Sequence, residues 1–165
     1  MVLRCTRRML DLLGGRAVTL TELPPAADDW YANLLWLDRQ KCPLLTHAGT
    51  LFSVFRAGVG KADLRPIGAY VVKAVEAELR SESLPPDTFA QLKPDTVRLA
   101  KTASRSTLGF MNEMAVHLRY GVADAGGLSH CDISALNRGL RRTLHNRGGY
   151  AYPIELVAQR LAARA

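Results

Sequence analysis

The chain has 165 residues, of which 48% are hydrophobic and 22% charged, with 22 Lys and Arg against 15 Asp and Glu and a formal net charge of +7. That length and balance describe an ordinary globular protein able to bury one sizeable core, and they exclude a disordered chain. A basic excess of this size favours polyanionic partners such as nucleic acid, although many small proteins are basic without binding any.

Cys5, Cys42 and Cys131 are odd in number and far apart. No CxxC or Cys/His ligand spacing exists, so no metal site is expected, and reduced thiols in the cytoplasm are the plain reading. Arg4, Arg7 and Arg8 make the start basic, yet residues 9–13 are too short and interrupted for a signal-peptide core. No apolar run approaches a membrane span, so no membrane contact is expected. A Gly-rich nucleotide fingerprint, a paired-carboxylate motif and a Ser/His/Asp order are all missing, and no cofactor is expected.

In chain order, residues 2–5 read as a short strand whose pairing with a later one would draw the N-terminus into the core. Residues 7–13 read as a helix that turns Met9, Leu12 and Leu13 inward and stops at Gly14-Gly15. Alternation over 17–23 predicts a strand, ended by Pro24-Pro25. Three apolar runs, 33–38, 42–47 and 50–55, are separated by Arg39-Gln40-Lys41 and Ala48-Gly49 and predict an antiparallel meander. Pro43 argues for an edge position or a bulge.

Ile67, Val71, Val75 and Leu79 recur at intervals of four and predict a helix over 66–80. A short helix is expected from Pro85-Pro86-Asp87 toward Leu92, then a strand over 96–100. Leu108, Met111, Ala115 and Leu118 predict a helix to about Tyr120, followed by a loop over 121–129. Asp132 or Ser134 caps a helix carrying Ile133, Leu136 and Leu140, and Pro153 opens a last one with Ile154, Val157 and Leu161 inward. With no repeats and no linker, residues 1–165 are expected to form a single α+β domain, a small antiparallel meander packed against several helices.

Several stretches can carry chemistry. Lys101, Thr102, Ser104, Arg105, Ser106 and Thr107 gather where a strand hands over to a helix N-terminus, which has spare N–H donors and partial positive charge. That is a recipe for an anion site, with Lys101, Thr102, Arg105 and Ser106 as phosphate contacts. The spacing is not that of a P-loop, and the plainer alternative is a capped helix start with two solvated cations. Gly109 in the first turn would permit close approach of a ligand or backbone.

Trp30 and Tyr31, followed by Arg39 and Lys41, suggest stacking aromatics beside phosphate-binding cations, although both aromatics also suit the rim of a core. Asn112 falls among apolar helical positions and reads as a structural amide closing the core against a loop, and Asn137 invites the same reading. Arg138, Arg141, Arg142, His145 and Arg147 form a basic cluster able to follow a phosphate backbone, though a charge run is commonly a solvated face. His145 is the histidine that lies in a basic loop; in an enzyme reading it or a hydroxyl would move the proton, while Lys101 and Arg105 would stabilise charge on a transferred phosphoryl group.

The motifs Trp30-Tyr31-Ala32-Asn33-Leu34-Leu35, Arg39-Gln40-Lys41-Cys42, Thr50-Leu51-Phe52-Ser53, Ala100-Lys101-Thr102, Arg105-Ser106 and Leu108-Gly109-Phe110-Met111-Asn112 occur in that order. Over residues 5–137 the chain resembles a family of small bacterial proteins, domain of unknown function six-nine-three-three. The resemblance implies an intact small domain and no particular activity. The expectation from the residues is a basic cytoplasmic domain that binds a phosphate-bearing partner, most simply RNA or DNA. The alternatives are a metal-independent enzyme acting on RNA or a nucleotide, and a protein-interaction module of an operon pair.

Overall fold

The computed structural model describes residues 1–90, 92–146 and 149–164. The apolar runs of the middle of the chain form β2 (Trp30–Leu37), β3 (Gln40–His47) and β4 (Ser53–Phe55), paired as an antiparallel meander. Two parallel strands extend it. β1 (Val2–Cys5) lies between β2 and β5 (Arg98–Lys101), so the mixed five-stranded sheet runs β4-β3-β2-β1-β5.

The N-terminal strand is therefore interior to the sheet. Its Arg4 is buried, and the guanidinium donates to the Asp29 carboxylate and to the carbonyls of Leu23 and Lys101. A charge this deep is tolerated because its partners replace water.

Residues 17–23 do not form the expected strand. Leu20 makes one parallel bridge to Leu99, and the Thr21 N–H donates to the Leu99 carbonyl at 2.7 Å. Pro24 and Pro25, which follow, have no N–H with which to continue a ladder. β3 is an interior strand, so Pro43 does not take the expected edge position; it lies one residue outside the β3–β4 ladder, which ends at Leu44 and Phe55. The Pro43 carbonyl accepts from Arg56 N–H just past the end of β4, so the donor it lacks falls where the sheet has run out of strand.

Helices cover both faces. α1 (Arg7–Leu13), α2 (Ile67–Ser81) and α5 (Pro153–Ala162) pack on the face carrying Leu3, Trp30, Ala32 and Leu34. α3 (Arg105–Asp124) and α4 (Ile133–Arg141) pack on the face carrying Tyr31, Leu35, Leu37 and Leu44. The helix expected at 85–92 is only a pair of turns, Thr88 N–H to Pro85 and Ala90 N–H to Asp87, with Ala90 left-handed at φ 63°. α3 continues past the expected end to Asp124, and Gly121 packs closely on α4: a Cβ there would lie 3.0 Å from Leu136 Cδ2.

Side chains of α4 stand in for a strand beyond β4. Asn137 is fully buried; its Oδ1 accepts from Phe55 N–H at 2.7 Å and its Nδ2 donates to the Phe55 carbonyl at 3.0 Å. Arg141, equally buried, donates to the Ser53 carbonyl at 3.2 Å, to Glu78 at 3.0 Å and to Glu82 at 2.8 Å. A sheet edge that would otherwise offer unpaired backbone groups is thereby closed.

The structural-amide reading thus holds for Asn137 and is corrected for Asn112. Asn112 is exposed, because Met111 and Ala115 take the inward positions of that turn. Asn137→Ala leaves the Phe55 N–H and carbonyl without partners, and a loss of about 2–4 kcal/mol is expected in urea unfolding. Asn112→Ala is expected to change stability by less than about 0.5 kcal/mol. Equal effects of the two substitutions would contradict this edge account.

Candidate functional site

β5 ends at Lys101 and α3 begins at Arg105. Ser104 is the N-cap: its Oγ accepts from Thr107 N–H at 3.2 Å and from Thr107 Oγ1 at 3.0 Å. The Ser104 N–H donates to Tyr31 Oη at 3.1 Å. The N–H groups of Arg105 and Ser106 have no carbonyl one turn back to bond within the helix, and the positive end of the macrodipole lies there.

Two concavities flank this junction. On one side a recess of about 600 Å³ is lined by Lys101, Thr102, Arg7, Arg16, Asp11 and Cys5, among others. On the other a cleft of about 790 Å³ lies between the α3 start, the loop before β2, the β3–β4 turn and α5. Tyr31, Ser104, Thr107, His145 and Gln159 supply its polar groups, and Pro25, Ala26, Ala27, Gly49 and Leu156 supply much of the rest. His145 opens a two-stranded ribbon, β6 (His145–Asn146) with β7 (Tyr150–Ala151). Its ring meets Phe110 edge-on at 4.9 Å, and Nδ1 lies 3.6 Å from Glu113 Oε2.

The structure divides the residues singled out from the sequence. Lys101, Thr102, Arg105 and Ser106 share the junction, and Ser104, Thr107 and His145 share the adjoining cleft. Arg39 and Lys41 do not join them. The Asp38 carboxylate beside them accepts from Leu128 N–H, just beyond the far end of α3. A helix of 20 residues is about 30 Å long, so the two groups of cations are a helix length apart.

Trp30 and Tyr31 are corrected as stacking residues. Both are 0% exposed, since β2 is covered on both faces, and Tyr31 reaches the cleft wall beside its hydroxyl's bond to Ser104. Gly109 has nothing within 4 Å of a Cβ built on it, so no close approach requires it. The basic cluster of α4 is also dismantled. Arg141 is buried on Glu78 and Glu82, Arg142 pairs with Glu82 at 2.6 Å, and Arg147 lies outside the described residues. Arg7 and Arg16 join the junction only through the pairing of β1 with β5, which no local spacing announces.

A family model described as Domain of unknown function (DUF6933) matches residues 2–156. The chain belongs to DUF6933. No curated protein matches it. Among the described residues of this DUF6933 chain, no group of three or more His, Cys, Asp and Glu is placed to hold a metal ion, and no helix is long and apolar enough to cross a membrane. Burial pushes the Cys5 thiol up to about 12, which keeps it protonated and unreactive within its recess.

His47 supports the turn that forms the cleft's edge. It is 1% exposed and packs against Trp30 and Phe89. Nδ1 accepts from Thr50 N–H at 3.2 Å, which puts the ring proton on Nε2, 3.7 Å from Asp28 Oδ1. Asp28 in turn holds Arg160 of α5 at 2.6 Å. Gly49 is packed over this ring: a Cβ there would lie 2.8 Å from the Ala27 carbonyl oxygen and 3.4 Å from His47 Cε1.

Burial, then the Arg160 charge, lowers the His47 pKa to about 3 against the partial opposition of Asp28. At Glu82 the hydrogen bond from Arg142, with those from Arg141, outweighs burial and lowers the carboxyl to about 2. Both shifts act in one direction. Below pH 6.5 the unfolded chain binds a proton on His47 that the fold refuses, and below 4.5 it binds one on Glu82 likewise. Stability is expected to fall steadily from pH 6.5 toward pH 3, with His47 contributing roughly 3 kcal/mol of the loss by pH 4. Urea midpoints across that range test this, and a midpoint unchanged between pH 7 and pH 4 would refute it.

Proposed function

We propose that this chain is a cytoplasmic protein that binds a phosphate-bearing partner, nucleic acid in single-stranded form, at the β5–α3 junction. The observation that carries the reading is the grouping of Arg7, Arg16 and Lys101 around one recess, beside the N-terminus of a 20-residue helix led by Arg105. Phosphate oxygens are satisfied by such a combination of cations, hydroxyls and helix N–H donors. The neighbouring cleft supports the choice of a nucleotide over a bare anion. Its volume of about 790 Å³ falls in the range of small-molecule sites, and its small apolar walls with a few polar groups suit a base and sugar.

His145 in the same cleft favours a second reading, metal-independent cleavage or transfer on RNA, with the imidazole as the proton carrier. Turnover of labelled RNA that disappears in His145→Gln while binding persists would select it.

The primary test is titration of a labelled 12-mer single-stranded oligonucleotide at several salt concentrations. Affinity is expected to fall steeply with salt, and Lys101→Gln with Arg105→Gln to weaken it at least tenfold. Loss of two phosphate contacts also flattens the slope of log K against log salt by about 1.4. Salt-insensitive binding, or no retention on heparin at low salt, would overturn the proposal.

A further inference from the structure

The tryptophan that reaches solvent is not Trp30 but Trp36, 53% exposed near the end of β2. It projects beyond the helices that cover the rest of that strand, whose other residues are buried or half-buried. Across the hairpin Lys41 is its register partner, and the ammonium sits 5.3 Å from the ring centroid. Trp36 and Arg119 of α3 line the same depression, of about 440 Å³, whose acidic lining residue, Asp38, already accepts from Leu128 N–H. Arg119 is followed by Tyr120, 68% exposed.

The turn that carries Arg39 adds an independent observation. Asp38 and Arg39 occupy its two central positions with φ 46° and 59°, both left-handed. Such turns favour Asn-Gly or Asp-Gly, because a side chain at the second position is unfavourable there. Arginine stands where glycine would be more stable, and its guanidinium is held out into solvent at the hairpin tip.

The geometry points to this hairpin end as a second contact for single-stranded nucleic acid, with one base stacked on Trp36 and the flanking phosphates on Arg39 and Lys41. Aromatic rings bordered by cations bind single strands in this way without reading sequence. The inference rests on the proposed function for the class of ligand, but it uses none of the junction residues.

The protein carries two tryptophans, one buried and one exposed, so intrinsic fluorescence reports on the site directly. Titrating the full chain with a 12-mer oligouridylate is expected to quench emission, and the quench is expected to vanish in Trp36→Phe. Trp36→Ala is expected to weaken binding by roughly 5- to 150-fold, the range for loss of one stacked base. Arg39→Gly should raise the melting temperature while weakening binding, a combination that a damaged fold cannot produce.

Unaltered affinity in both Trp36→Ala and Arg39→Gly, with the wild-type chain still binding, would overturn this contact and leave the junction standing. Weakening by Trp36→Ala without any effect of the Lys101→Gln, Arg105→Gln pair would sustain it and remove the junction. Failure of the wild-type chain to bind the oligonucleotide would overturn both.

Discussion

The outer edge of β4 is closed by two side chains of α4 rather than by backbone, and much of the architecture depends on that substitution. Asn137 meets the donor and acceptor of Phe55, and Arg141 meets the carbonyl of Ser53. Arg141 then continues to Glu78 and Glu82, which belong to α2 and its C-terminal cap on the opposite face of the sheet. The network clamps the two helical layers around the sheet edge. Its charges are buried yet mutually bonded, the condition under which a desolvated ion pair does not act against the fold. Because α4 is fixed this way, the ribbon that follows it brings His145 over Phe110 and into the cleft wall.

α3 then sets the scale of the candidate surface. Its start is tied to the sheet through Ser104 and the Tyr31 hydroxyl, and the loop past its end through Leu128 and Asp38. The cations gathered near the two ends are consequently held about 30 Å apart by a rigid element. A single phosphate cannot reach both groups, whereas an extended polyanion can. That spacing is the physical reason for preferring a strand of nucleic acid to a mononucleotide.

Much of the fold was legible where one segment's periodicity decides the outcome. α1, α2, α5 and the meander all follow from apolar spacing and turn residues. What local patterns do not contain is the identity of distant partners. The short apolar stretch at 2–5 does not announce two parallel neighbours, nor the recess in which Arg7 and Lys101 meet. Arg141 resembled a surface cation because the glutamates that bury it lie some sixty positions earlier, at Glu78 and Glu82.

Asn112 and Asn137 both stand among apolar helical neighbours, and only the position of the β4 edge separates an exposed amide from a buried one. The aromatics of β2 show the same limit. A strand covered on both faces hides Trp30 and Tyr31 together, and exposure passes to Trp36, where the covering layers end. The cations and hydroxyls at 101–107 were legible as a group, while their division between a recess and a cleft is a property of the packing.

Photo-cross-linking of a 4-thiouridine-containing single strand to the intact protein, followed by peptide mass spectrometry, tests the central claim directly. Adducts are predicted within residues 101–107 and 36–41, with α4 unlabelled. Adducts concentrated on Arg138 and Arg142, or spread evenly over the surface, would contradict it.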